Sequence, residues 1–357
     1  MTTFLAKPLI DGDNFLQLLW FFVIALVFAI FLFLEGIDFG VGMATRVLAH
    51  NGDERALYMR AVGPHWDGNE VWLITGGGAM FASFPMWYAS LFSGYYLLLF
   101  IVLVGLILRG VSFEFSVHAQ TDRERSVWQW ANFAGSVIAP FGLGMMLTSV
   151  IQGVPMDAQG NVHAGFFDVV NWLSVVGGVA VVFFSFIHGV HFLSLKLDKT
   201  TSERMLNTTK KAYWIAYPAL VVFVILAFVF TDFYQRRTKS TLLITVVILA
   251  ATICGHIAAY KKRGGFAFLA SGITLAGIIA FIFNGLFPHV MIATDPSKSM
   301  TVAAASSSQY TLEIMTIVLC CLLPIVLIYF SWSYYIQRKR LITDNSPEAI
   351  KAALANN

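Results

Sequence analysis

"GPHWDGNEVWLITGGGAMFASFP", residues 63–85, runs from a polar turn bearing His65, Asp67 and Glu70 into an apolar segment, and its far end decides how the chain folds. From Val71 to Phe115 the only charged residues are Arg109 and Glu114. Unbroken helix over those 45 residues would be roughly 68 Å long at 1.5 Å per residue, over twice the ~30 Å hydrocarbon thickness of a bilayer. The chain must turn back. Phe84-Pro85 is where it can, because the residue before a proline resists helical geometry.

The rest of the sequence has the same character. Of 357 residues, 58% are hydrophobic and 12% charged, where a soluble domain carries about 25% charged residues. Mean hydropathy is +0.73. These values predict an all-α, polytopic membrane protein. With about 20 apolar residues per span, nine transmembrane helices are expected, near 15–42, 66–84, 86–113, 127–151, 166–195, 210–231, 240–260, 266–286 and 310–337. They form one integral membrane domain over residues 1–340, with a tail at 341–357 that reads as a frayed helix. The first apolar run lacks a small-residue cleavage site and reads as a retained helix.

Lys and Arg give the orientation. Counted loop by loop from Lys7, the compartments on the N-terminal side hold 5 of the 23 and the opposite ones 18. Cytoplasmic loops are the basic ones, so the N-terminus is expected outside and the C-terminus in the cytoplasm. The net charge of +3 is scattered among short connections, which argues against a nucleic-acid partner. Cys254, Cys320 and Cys321 lie in apolar runs without metal or disulfide spacing and read as packing residues.

In this orientation "FLEGIDFGVGM" (33–43) puts Glu35 and Asp38 on one face near the cytoplasmic end of the first helix, and His65, Asp67 and Glu70 open the second helix at that same end. Intramembrane acids cost roughly 2.5–3.5 kcal/mol for Asp and often mark proton relays. The structural alternative is that Asp67 caps its helix while Glu35 and Asp38 sit among headgroups. Gly76, Gly77 and Gly78 cost about 1 kcal/mol each against Ala in a helix. With the Gly36/Gly40 GxxxG pair they point to close helix packing. His188 and His191, three apart, share a face and cannot clasp one haem from both sides. With His256 and His289 they read as packed or hydrogen-bonded histidines. Arg109 and Glu114 read as an interfacial ion pair or snorkelling side chains, and Trp20, Trp87 and Trp332 fall where interfacial aromatics are expected.

"LEGIDFGVGM" (34–43), the stretch at 63–85 and "SSSQYTLEIMT" (306–316) resemble the signature segments of subunit II of the cytochrome bd family of quinol oxidases. The nine-helix layout resembles it over nearly the whole chain. The resemblance implies a multi-pass subunit of a bacterial cytoplasmic (inner) membrane complex that oxidises quinol and reduces oxygen to water. It implies that haems b558, b595 and d are held by subunit I, with no catalytic, haem-ligating or metal-ligating residue in this chain. It also implies a proton path from the cytoplasm that includes Asp67, with Asp38, Glu35 and His65 in the same cluster. Trp72 is implied at an oxygen path or the subunit interface, and Gly76, Gly77 and Gly78 belong with it. Expected partners are subunit I, membrane lipids and a small single-helix accessory subunit, with a bound quinone or lipid as a further ligand. The connection "TDFYQRRTKS" (231–240) is shorter than in some members. The rival reading is a proton- or cation-coupled transporter, whose signs would be broken helices meeting at mid-membrane; here the acids crowd one face.

Overall fold

A computed structural model describes residues 12–341, with side chains from Phe15 onward. Lys7 and the tail beyond Leu341 lie outside the described residues. The helices are α1 (Gly12–Val47), α2 (Gly52–Val62), α3 (Trp66–Ser83), α4 (Pro85–Gly94), α5 (Tyr96–His118), α6 (Asp122–Gln152) and α7 (Phe166–Val169). After these come α8 (Trp172–Lys196), α9 (Lys199–Phe230), α10 (Phe233–Arg236), α11 (Thr238–Tyr260), α12 (Gly264–Leu286), α13 (Val302–Ala305) and α14 (Gln309–Ile336). A short hairpin of β1 (His289–Met291) and β2 (Met300–Thr301) precedes α13, pairing His289 with Thr301 and Met291 with Met300.

Among the described residues, eight helices are long and apolar enough to cross a membrane: α1, α5, α6, α8, α9, α11, α12 and α14. Many large apolar side chains face outward, among them Phe22, Ile74, Phe100, Leu243 and Ile325, as a lipid-solvated bundle requires. The interior is filled by aliphatic side chains and aromatic rings, with small residues where helices cross closely. α1 lies at the centre, packed against α3, α6, α8 and α12. One close contact is Gly40 on Gly189 of α8. A Cβ added to Gly40 would lie 2.1 Å from the Ser185 carbonyl oxygen, so only glycine allows this crossing.

The break at Phe84 is real, with φ −137° and ψ 68° there and Pro85 opening α4. The predicted helix from 86 to 113 is nevertheless divided. Tyr95 interrupts it, held in the interior with its hydroxyl on Ser149 Oγ at 3.2 Å. α4 lies against the 153–165 connection, where Ser90 donates to the Gly160 carbonyl at 2.5 Å and Val162 occupies the space a Gly94 side chain would need. The "SSS" run does two local jobs. Ser307 donates to the carbonyls of Ser83 and Ala82 at the end of α3, and Ser308 accepts from the Thr311 amide to open α14.

Three expectations are corrected. Trp20 and Trp87 are buried, not interfacial: Trp20 Nε1 donates to Leu312 O and Thr316 Oγ1 and ties α1 to α14, whereas Trp332 is exposed. All three cysteines face outward from the bundle, because within an apolar run helical periodicity, not hydropathy, decides which face is inside. Helix α2, absent from the sequence reading, was signalled by "NGDE": Asn51 Oδ1 accepts the Glu54 amide at 2.9 Å while the Glu54 carboxylate takes the His50 amide at 2.9 Å.

Candidate functional site

Three helices that the glycine contacts draw together carry the charged centre. α1 supplies Glu35 and Asp38, α3 supplies Asn69 and Glu70, and α5 supplies Arg109. Arg109 is seated where α5 and α6 approach most closely: a Cβ on Gly135 would be 2.3 Å from Gly105 O and 2.8 Å from the Arg109 amide. Its guanidinium donates through Nη2 to Glu35 and to Glu70 Oε2 at 2.7 Å, and Nη1 lies 3.9 Å from Asp38 Oδ2. The rings of Phe39 and Trp66 flank it at 5.7 Å each. Glu35, Asp38 and Arg109 have no exposure, whereas the Glu70 side chain keeps 24%. Glu70 is therefore the member of the cluster that reaches the surface of this chain.

A neutral arm extends from the cluster. Asn69 Nδ2 donates to Asp38 Oδ2 at 2.9 Å, Tyr334 Oη of α14 donates to Asn69 Oδ1 at 2.9 Å, and His65 lies flat on Tyr334 with ring centroids 4.0 Å apart and planes at 2°. His65 precedes α3, where burial and then the Lys196 charge push its imidazole down to about 4 against an opposing pull from Asp67. It is neutral at physiological pH. Glu35 Oε2, Asp38 Oδ1 and Arg109 Nη1 have no hydrogen-bond partner among the described residues.

The expected acids are thus only partly assembled. Glu35 and Asp38 belong to one buried cluster rather than to the headgroups, because α1 continues about three turns past Glu35. Asp67 is exposed at the first turn of α3; its carboxylate accepts the neighbouring Gly68 amide at 2.7 Å and does not cap the helix, whose N-cap is His65. Asp67 and Glu70 are three apart on one helix and so share a face. Arg109 overturns the interfacial reading. It is fully buried and paired with Glu35 and Glu70, while Glu114 is exposed. Its signal was legible, since the one cation inside a long apolar run needs carboxylates from other helices. Asn69 and Tyr334 gave no comparable signal.

Trp72 and the glycines occupy different surfaces. Trp72 is buried edge-on to Phe330 at 5.7 Å. Gly76 packs on Phe28, and a Cβ there would sit at 3.3 Å. Gly77 and Gly78 open onto an apolar groove of about 660 Å³ shared with α4, α5 and α6, and a side chain on Gly78 would meet nothing within 4 Å.

The buried histidines are hydrogen-bonded to neighbouring helices. His188 uses both ring nitrogens, on Ser271 Oγ at 2.8 Å and Phe33 O at 3.0 Å, and His191 Nδ1 shares the same Ser271 hydroxyl at 3.0 Å. His256 Nδ1 bonds the Tyr217 hydroxyl at 2.8 Å, and the His256 ring stacks on Tyr213. His289 opens β1, 3.4 Å from Arg236.

Comparison with known proteins gives a consistent result. Residues 16–337 match the family model described as cytochrome bd terminal oxidase subunit II. The chain is 42% identical over 324 residues to cytochrome bd ubiquinol oxidase subunit 2 of Bacillus subtilis, covering 90% of this chain and 96% of that one. It is 32% identical over 357 residues to cytochrome bd-I ubiquinol oxidase subunit 2 of Escherichia coli K12, covering 90% and 93%. In fold it is similar to a chain of the bd oxidase from Geobacillus thermodenitrificans, with a TM-score of 0.71 at 16% identity, over 90% of this chain and 98% of that chain.

Proposed function

This chain belongs to the cytochrome bd terminal oxidase subunit II family, and we propose that within the quinol oxidase it is the route by which cytoplasmic protons approach the oxygen-reducing partner. It is a multi-pass membrane subunit of an oxygen-reducing respiratory enzyme. The haem-bearing subunit I supplies the electron and oxygen chemistry. The observation that carries the proposal is the charge imbalance of the buried cluster: three carboxylates, Glu35, Asp38 and Glu70, converge on the single guanidinium of Arg109.

Ionising all three would leave two negative charges uncompensated in an apolar interior, at several kcal/mol apiece. Protons are the natural counter-charge, and a site that must hold protons can pass them on. Asp67 at the exposed first turn, then partly exposed Glu70, then buried Glu35 and Asp38 form a graded entry from solvent to interior. Arg109 lowers the cost of each ionised intermediate. His65, neutral and stacked on Tyr334, acts beside this path by holding the α3–α14 contact.

The remaining assignments follow from the same reading. α3, at 18 residues, is about 27 Å long and serves as the ninth span despite its polar first turn. Nine spans put the N-terminus outside and the C-terminus in the cytoplasm, in one membrane domain to residue 340, and they keep 18 of 23 basic residues inside. The groove that Gly77 and Gly78 open receives a helix of subunit I.

The test is quinol-dependent oxygen consumption by the two-subunit complex carrying Asp67→Asn or Glu70→Gln, at haem content equal to wild type by optical spectrum. Loss of most turnover in both variants is expected. Unchanged turnover would leave this chain a scaffold.

A further inference from the structure

A second cavity has no part in the proton path. Between α1, α8, α12 and α14 lies a slot of about 620 Å³, within the 300–1,000 Å³ range of ligand sites. Its walls are apolar and ringed, from Leu26 and Ala276 at one end past Phe33, Phe268 and Phe330. At the other end stand Lys196 and Arg338. We infer that this slot is a site for one anionic phospholipid of the cytoplasmic leaflet, its phosphate between Lys196 and Arg338 and an acyl chain along α1 and α14.

Three observations carry this. The first is length: the lining on α1 runs from Leu26 to Ile37 and on α14 from Leu327 to Arg338, each about 17 Å of helix. That is close to one leaflet, half of the ~30 Å hydrocarbon core. The slot therefore reaches from headgroup level to mid-membrane and stops.

The second is charge. Lys196 closes α8 and one of its three N–H donors goes to the Gln337 carbonyl. Arg338 is exposed, its guanidinium 3.8 Å over the Tyr335 ring with Nη1 on Tyr335 O. Arg340, two residues on, donates to Leu197 O at 3.0 Å. Among the described residues no acid lines the slot. A basic mouth between transmembrane helices on the cytoplasmic side selects an anionic headgroup.

The third is the scarcity of free polar groups at depth, where the Trp72 indole N–H is a wall donor left without a partner among the described residues. Of the two hydroxyls in the wall, Ser331 Oγ donates to Leu327 O at 2.7 Å and Tyr334 Oη donates to Asn69. A quinone ring at mid-slot would find the Trp72 indole N–H for one carbonyl and leave the other unbonded, whereas acyl chains need no donors. A lipid here would also pack α14, of which only Leu312 is buried, onto the bundle.

The test uses the purified, delipidated two-subunit complex and native mass spectrometry with dioleoylphosphatidylglycerol against dioleoylphosphatidylcholine. Wild type should favour the anionic lipid by roughly thirtyfold, from two cations at headgroup level. Lys196→Gln with Arg338→Gln should abolish that preference, and Ala276→Phe, which fills the slot, should reduce binding of both lipids. Equal binding of the two lipids by wild type would overturn the proposal without recourse to any variant. So would a preference unchanged in the double variant at normal haem content, or a co-purifying quinone that the lipid cannot displace.

Discussion

Arg109 of α5 donates to Glu35 of α1, and neither side chain has any exposure. A buried pair of this kind is costly to break from one side, because the remaining charge is left uncompensated, at about 3–5 kcal/mol. Arg109→Met is expected to lower the yield of haem-loaded complex severely. Arg109→Lys should be intermediate, since an ammonium cannot reproduce the planar fork that reaches both Glu35 and Glu70. Haem content per unit of membrane, measured by difference spectrum, checks both.

Gly78 separates the fold of this chain from its assembly. A side chain there meets open space within the chain, so Gly78→Leu should leave its helix content unchanged or slightly improved, as replacing a helical glycine is worth about 1 kcal/mol. If the groove receives a subunit I helix, the same leucine overpacks a close contact at about 1–3 kcal/mol. Co-purification of subunit I with tagged chain should then fall about tenfold or more; retention of the partner would place the interface elsewhere.

Outside the membrane, α2 is tied to α9 by Arg204, which donates to Glu54 Oε2 at 2.8 Å and to the Tyr58 hydroxyl at 2.7 Å. Burial alone would raise the Glu54 carboxyl, but the Arg204 and His50 hydrogen bonds outweigh it and hold it below its ordinary value. A depressed carboxyl contributes stability that is fully present above the unfolded value of about 4.3 and is lost as pH falls through the lower folded value. Hydrogen-exchange protection of residues 52–62 should therefore collapse on acidification below about pH 4. In Glu54→Gln that protection should be lower at pH 7, by about 1 kcal/mol, and no longer vary with pH through this range.

How much of this was legible in the sequence depended on which force decided each element. Apolar runs of span length located the long helices, because bilayer thickness fixes their minimum, but not all of their ends: α5 begins at Tyr96 rather than 86, and α9 at Lys199 rather than 210. The GxxxG at Gly36 and Gly40 foretold a close helix contact, and Gly40 against Gly189 is one. Side-chain facing was less accessible. Hydropathy does not distinguish a lipid-facing cysteine from a buried one, and Trp20 and Trp87 satisfied an interfacial composition rule while lying inside. At the site, Glu35 and Asp38 were found from their cost. Their partner Arg109 was paired with its sequence neighbour Glu114 instead, because which helices meet is a tertiary fact. Asn69 and Tyr334, 265 residues apart, are joined only by the docking of α14 on α3.

On the proposed function, protons reach the oxygen-reducing centre through the carboxylates of this chain. The most direct test is the rate of proton uptake from the bulk during a single turnover of the fully reduced complex with oxygen, comparing wild type with Glu35→Gln at equal haem content. Uptake in Glu35→Gln is expected to be slowed at least tenfold, about 1.4 kcal/mol or more on that step, with initial oxygen binding unchanged. Uptake at the wild-type rate would contradict the proposal.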